Sequence, residues 1–216
     1  TSATTMQYAG IHVASIASTL STVLGNSIKN VSIASTNIAT GSNAFSGIYV
    51  GTPSWVNVIG NNIGSTTDTA SIAVSITANG GTVNGIKTES VTATKIDGNT
   101  IAGIKAVGTS SNAINLIGVS TTAGNDTIVN NTIGSTNVPH SITVRGGAVS
   151  TASSASGITA VVAATYAPVI SNNTISNISN LNATANTANQ QASGILASGN
   201  AYYNITGNTV RNITGY

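Results

Sequence analysis

The sequence contains no cysteine, which excludes a disulfide framework and a thiolate metal site. Charge is nearly as scarce. Lys29, Lys87, Lys95, Lys105, Arg145, Arg211, Asp68, Glu89, Asp97 and Asp126 are all the charged side chains in 216 residues, for a formal net charge of +2. The basic residues are scattered, with no run that could track a phosphate backbone, so nucleic acid is not an expected partner. The pI near 9.0 reflects the shortage of charge, not a basic face. No apolar run approaches the length of a membrane span, and insertion into a bilayer is not expected. Proline occurs three times and methionine once, and Leu is sparse.

What fills the chain is Asn, Thr, Ser, Gly and Ala, interleaved with Ile and Val. Abundant β-branched residues with little charge are the reverse of a disordered composition. They favour strands over helices.

Self-similarity decides the architecture. One phrase recurs six times: a β-branched residue, any residue, Gly or Asn, then Asn, a polar residue, and Ile or Val. Its copies begin at Val23, Val58, Ile96, Ile128, Ile170 and Ile205 and end at Ile28, Ile63, Ile101, Ile133, Ile175 and Val210. Between these lie the anchor residues Asn26, Asn61, Asn99, Asn131, Asn173 and Asn208, spaced by 35, 38, 32, 42 and 35 residues. A second anchor precedes each phrase at a nearly constant distance: Gly10-Ile11, Gly47-Ile48, Gly85-Ile86, Ala113-Ile114, Gly157-Ile158 and Gly194-Ile195. The stretch from each Asn to the next such pair varies much more in length, so one half of every coil is regular and the other carries the loops.

Strand alternation turns the first residue of the phrase inward. Gly or Asn followed by Asn supplies two positions tolerant of positive φ, where the chain turns sharply. The final Ile or Val then re-enters the core. Stacked coils place like residues above one another, giving two core columns from the phrase's first and last residues and an Asn ladder between them. An amide hydrogen-bonded along such a ladder avoids the cost of burying an unpaired polar group.

Ile63-Gly64-Ser65-Thr66 and Ile133-Gly134-Ser135-Thr136 are each followed by a strand-like run, Ser71–Val74 and Ser141–Val144, and the offset between the two copies is the same for both features. These runs predict a third face. The stretches 150–156 and 182–191 read as loops. A Leu ladder, closely spaced hairpin turns and helical composition are all missing, which disfavours leucine-rich, sandwich and helical repeats.

The predicted fold is therefore all-β, a right-handed parallel β-helix of about six coils of roughly 35 residues, spanning 1–216 as one segment. The Gly-Ile strand followed by phrases such as Ile96-Asp97-Gly98-Asn99-Thr100-Ile101 resembles the parallel β-helix repeat of pectate-lyase-like proteins. With low charge and Asn, Thr and Ser enrichment, the chain is most similar to long secreted β-helix proteins of bacteria. That resemblance implies an extracellular or cell-surface location. It says little about activity, because the scaffold serves lyases, hydrolases, adhesins and filament shafts alike.

Chemistry is hard to assemble from the residues. Glycoside hydrolysis needs two facing carboxylates, and Glu89 and Asp97 are the sequence-near pair. Asp97 lies between inward Ile96 and turn residue Gly98, so it should face solvent. Asp68 and Asp126 sit beside turns, where Asp caps the backbone. Calcium asks for six or more oxygen ligands, and no Asp-rich cluster offers them, so neither a metal nor another cofactor is expected. His12 and His140 have no acid nearby to suggest a triad. Tyr49 and Trp55 share a coil and could form a stacking platform for sugars, against the plainer reading that they cover a core edge. Thr92-Ala93-Thr94 is an isolated Thr-x-Thr, not a row, and sequons such as Asn172-Asn173-Thr174 arise from the repeat itself.

No catalytic residue is assigned. The expected function is structural: a shaft or spacer of a secreted or surface-attached bacterial protein, a filament or an adhesin. The alternative is a β-helix that binds or degrades polysaccharide. The pattern is already under way at Gly10-Ile11 and is still running at Tyr216. Further coils of the same or a similar chain are the expected partners at both ends.

Overall fold

A computed structural model describes residues 8–14, 19–35, 42–52, 54–77, 80–108, 113–146, 153–182 and 191–215. Every regular element among them is a strand, and every strand pairing is parallel. The first coil comprises β1 (Tyr8–Val13), β2 (Ser21–Leu24), β3 (Ser27–Ile28) and β4 (Val31–Ser35). The second comprises β5 (Asn43–Val50), β6 (Val56–Ile59), β7 (Asn62–Gly64) and β8 (Ile72–Ile76). The third comprises β9 (Gly81–Thr88), β10 (Thr94–Asp97), β11 (Thr100–Ala102) and β12 (Ile104–Gly108). The fourth holds β13 (Ile114–Thr121), β14 (Thr127–Val129), β15 (Thr132–Ile133) and β16 (Ile142–Arg145). The last two have three strands each: β17 (Ser154–Val162), β18 (Val169–Ser171) and β19 (Thr174–Asn180), then β20 (Gln191–Gly199), β21 (Asn204–Thr206) and β22 (Thr209–Gly215).

Each strand pairs with its counterpart one coil away, which makes the molecule a parallel β-solenoid. The first sheet runs β1-β5-β9-β13-β17-β20 and the second β2-β6-β10-β14-β18-β21. Six strands deep, the stack amounts to about five turns, slightly fewer than the count of phrase copies suggests. The two equally offset runs lie in β8 and β16. They share one sheet with β7 and β15, because β19 is long enough to pair with β15 through Ile175 and with β16 through Ile178.

Register follows the phrase. Val23 pairs with Val58, Val58 with Ile96, Ile96 with Ile128, Ile128 with Ile170 and Ile170 with Ile205. Ile28, Ile63, Ile101, Ile133, Ile175 and Val210 form the parallel row across the corner. The middle four of each row are 0% exposed. Burying each such side chain stabilises by roughly 1.5–3 kcal/mol. The last coil is open, with Ile205 43% and Val210 46% exposed.

Facing the second row across the core is a row of glycines. A Cβ on Gly85 would stand 2.5 Å from Ile101 Cγ2 and 2.6 Å from the Gly118 carbonyl oxygen; Gly157 repeats this against Ile175 at 2.5 Å. Glycine recurs there because the opposite isoleucine fills the space of a side chain. In the fourth coil that role belongs to Gly118-Val119, since Val119 pairs with Ile86 while Ile114 pairs with Gly81. The expected anchor Ala113-Ile114 is thus displaced. An alanine cannot sit opposite Ile133, whose Cγ2 is 2.5 Å from a Cβ built on Gly118.

Two loop expectations also change. Ser154–Ser156 belongs to β17 and Gln191 opens β20, so those loops are shorter than a shortage of large apolar residues implied. Small residues suffice in a strand when neighbouring coils complete its hydrogen bonds. The remaining stretches, 150–152 and 183–190, lie outside the described residues.

Candidate functional site

The corner between the second and third sheets carries the asparagines. The residue before each anchor has positive φ: Gly25, Gly60, Gly98, Asn130, Asn172 and Gly207 lie between 56° and 66°. The anchor Asn itself is not left-handed, so the turn needs one such position rather than two. That leaves the anchor side chain aimed along the stack. The backbone N–H of Asn26 donates to Asn61 Oδ1 (2.9 Å), and its Nδ2 donates to the same oxygen (3.0 Å). Asn61 repeats the pair on Asn99, Asn99 on Asn131, Asn131 on Asn173 and Asn173 on Asn208, all at 2.9 Å. The amide also reaches back one coil: Asn99 Nδ2 donates to the Val58 carbonyl (2.9 Å), and Asn131 Nδ2 to that of Ile96 (2.9 Å). Asn61, Asn99, Asn131 and Asn173 are buried.

Charged groups gather on the outer side of the first sheet. His12 pairs in register with Tyr49, and Tyr49 with Lys87. Their rings and charges meet: His12 and Tyr49 have centroids 5.0 Å apart, and Lys87 Nζ stands 6.0 Å from the Tyr49 centroid. Glu89 closes the group, accepting from the Tyr49 hydroxyl (2.6 Å) and pairing with Lys87 Nζ (2.6 Å). Burial, then the hydrogen bond and negative charge of Glu89, push the Tyr49 phenol well above its ordinary value. Glu89 is itself pushed up by burial, but Lys87 and the Tyr49 hydroxyl outweigh that and hold it below the usual range. The result is a neutralised set, with Tyr49 locked as a donor.

Tyr49 is therefore not a free sugar platform. It is 9% exposed and its ring contact is with His12, whereas Trp55 stands 44% exposed on the next corner. No Tyr49–Trp55 ring contact occurs among the described residues. The sequence signal for the cluster existed: His12, Tyr49 and Lys87 each stand two residues after the strand glycine, Gly10, Gly47 or Gly85, that faces the isoleucine row in their coil.

The other carboxylates are also engaged. Asp97 pairs with Lys95 Nζ (2.8 Å) and accepts from Asn130 Nδ2 (2.9 Å); the Lys95 and Asn130 bonds lower its pKa. Asp68 accepts from the Ala70 N–H (2.9 Å). Asp126 is different. It occupies the position five residues before its ladder Asn, as Val56 and Thr94 do in the coils before it, and is 0% exposed. Oδ1 accepts from the Thr94 N–H of the preceding coil (2.8 Å) and Oδ2 from Thr121 Oγ1. The Asp126 carbonyl accepts from the Val169 N–H of the following coil (2.9 Å). Burial raises its pKa to about 7, although the Thr121 and Thr94 bonds oppose the rise. It lies in a core column, so the expected turn cap is instead a stitch through three coils.

Thr94 is buried in the same column, and Thr92 donates to the Ser54 carbonyl, so Thr92-Ala93-Thr94 presents no threonine row. His140, at φ 54°, lies 2.7 Å through Nδ1 from Ser179 Oγ. Among the described residues no group of three or more His, Cys, Asp or Glu could hold a metal ion. No helix there is long and apolar enough to cross a membrane. In comparisons with protein families, curated proteins and solved structures, no family model, protein or structure matches the chain.

Proposed function

We propose that this chain is a structural shaft or spacer segment of a secreted or surface-attached bacterial protein, a filament or an adhesin stalk, and not an enzyme. The observation that carries the reading is the continuity of the interior. Two aliphatic rows and one asparagine ladder run through all six coils, while each of the four carboxylates is bound to a local partner. A hydrolase would need two carboxyl groups facing a substrate. Here Glu89 and Asp97 each hold a lysine, Asp68 caps a turn and Asp126 is sealed in the core. A stack whose coils are joined by columns resists bending, which suits a spacer.

Exposed Trp55 favours one second reading, a carbohydrate-binding β-helix. A polysaccharide panel, assayed for binding and depolymerisation with the chain and its Trp55→Ala variant, separates the two. The structural reading expects no depolymerisation and no binding that depends on Trp55. Turnover of any polysaccharide, or tight binding lost in Trp55→Ala, overturns it.

A further inference from the structure

The surplus charge of the chain lies on one side of the solenoid. Lys87 is paired with Glu89 on the first sheet and Lys95 with Asp97 on the second. Lys29, Lys105, Arg145 and Arg211 make no ion pair among the described residues, and all four are exposed. Lys105 in β12 and Arg145 in β16 point outward from the β4-β8-β12-β16 half of the third sheet, since Ile104, Ala106 and Val144 beside them are 0% exposed. Lys29 and Arg211 stand at the corner that opens onto this face, each between a second-row residue (Ile28, Val210) and a left-handed asparagine (Asn30, Asn212). One acid shares the region, Asp68 in the loop from β7 to β8. Asp126 is sealed in the core. Four cations less the Asp68 charge leave this side at +3, whereas the exposed charges of the other two sheets are matched. Basic residues that are scattered along the chain are gathered by the fold.

The face is also low and plain. Its outward residues run Ser32, Ala73, Lys105, Thr143 in one row and Ala34, Ser75, Val107, Arg145 in the next. None is aromatic, and none of the exposed large hydrophobic side chains lies among them. Ser32, Ala34, Ala73 and Ser75 line a shallow depression of about 320 Å³ with Lys105 at its edge. The longest side chains here are the cations, so a plane laid on the face meets their charges first.

We propose that this face adsorbs to an anionic lipid surface, by charge and without insertion. Adsorption of this kind is independent of the shaft reading. Anionic headgroups present a plane of negative charge, and each Lys or Arg held near it contributes separately, over about one Debye length. Such contributions need neither a cleft nor a fixed spacing. That fits cations set on the first, third, fourth and sixth coils, over roughly 24 Å of stack. A polysaccharide chain would find no aromatic ring to stack on. Duplex nucleic acid carries about one charge per 1.7 Å of axis, far denser than this face.

Co-sedimentation with vesicles tests the proposal, using phosphatidylcholine alone and an equal mixture of phosphatidylcholine and phosphatidylserine. The chain should bind the mixed vesicles, should ignore phosphatidylcholine alone, and should be released as salt rises. Lys105→Gln and Arg145→Gln should each weaken binding by roughly fivefold, and the double variant by roughly 25-fold. Asp68→Asn should strengthen it by a similar single factor. Lys95→Gln makes the same charge change on the second sheet. At about 0.1 M salt, where a charge is screened beyond about 10 Å, it should shift binding by less than about twofold. All of these side chains are exposed, and circular dichroism checks that each variant keeps its strands. No binding to the mixed vesicles at low salt, equal binding to both kinds, or equal losses in Lys95→Gln and Lys105→Gln would overturn the proposal. Retention on a polyuronate or a DNA duplex without binding to vesicles would overturn it too, by making this a polymer-binding face.

Discussion

Replacing Asp126 with Asn should stabilise the protein at neutral pH and leave it nearly unchanged in acid. The carboxyl is wholly buried, with pKa raised by burial from 3.8 to about 7. A folded-state value above the unfolded one means that the folded chain binds the extra proton between those limits. The contribution of Asp126 to stability is then fully present below about pH 4. It falls as pH rises, and is lost once pH passes about 7. Three units of difference correspond to about 4 kcal/mol. An amide keeps the geometry without the titration: Asn Oδ1 accepts from the Thr94 N–H, and Nδ2 donates to Thr121 Oγ1, which donates on to the Ala123 carbonyl (3.1 Å).

Urea unfolding of both proteins from pH 4 to pH 8 reads the effect. Titration of Glu89 and Asp97 is common to the two and cancels in the difference. That difference should be close to zero at pH 4, should grow through pH 5 and 6, and should level off at several kcal/mol above pH 7. A constant difference, or an Asp126→Asn variant less stable than the parent at pH 8, would refute the reasoning. It would mean that the Thr94 N–H and the Thr121 hydroxyl hold an ionised carboxylate inside the core.

Asn99→Ala should cost on the order of 1–3 kcal/mol, because it removes the Oδ1 that accepts from the N–H and Nδ2 of buried Asn61; Asn26→Ala should cost less, since no described residue donates to its Oδ1. Chemical denaturation of the two variants side by side checks the order. Gly85→Ala should destabilise by roughly 1–3 kcal/mol through overpacking against Ile101 and the Gly118 carbonyl. Gly98→Asn should be nearly neutral, because a Cβ there meets nothing within 4 Å and Asn130 and Asn172 already adopt that turn in other coils. Thermal melts of both glycine variants decide it.

The inner rows were legible in the sequence for a definite reason. Coil stacking puts position against equivalent position, so the steric demand on Val58 is imposed again on Ile96 and Ile128, and selection writes the answer repeatedly. The Gly-to-Ile complementarity is the same effect across the core. It also explains the misreading at Ala113-Ile114. A pair that resembles the anchor by composition is not the anchor unless its small residue faces the row headed by Ile28, and only Gly118 does so in that coil. The strand at Ser154–Ser156 was illegible for the opposite reason. It has too few large side chains to announce itself, yet its hydrogen bonds are supplied by neighbouring coils rather than by its own composition.

Outward positions obey no such repetition, and that is where the candidate site was hardest to read. The column His12, Tyr49, Lys87 continues as Ser120, Thr159 and Leu196, six different residues in one row. No phrase links them, so Tyr49 was visible only as an aromatic near Trp55 and not as the partner of Glu89. Asp126 illustrates the intermediate case. Its row reads Ser21, Val56, Thr94, Asp126 and Pro168, variable although it lies inside the core. The neighbouring inward row changes in step: Val50 accompanies Val56, Thr88 accompanies Thr94, and Thr121 accompanies Asp126. Aliphatic residues pack together in the second coil. In the third, the Thr88 and Thr94 hydroxyls lie 3.3 Å apart, and in the fourth Thr121 bonds to the carboxyl. In these two rows, a polar residue in one is accompanied by a hydrogen-bonding partner in the other within the same coil. The interior of the solenoid is read in pairs of rows, and a search of single phrases along the chain cannot see the second row.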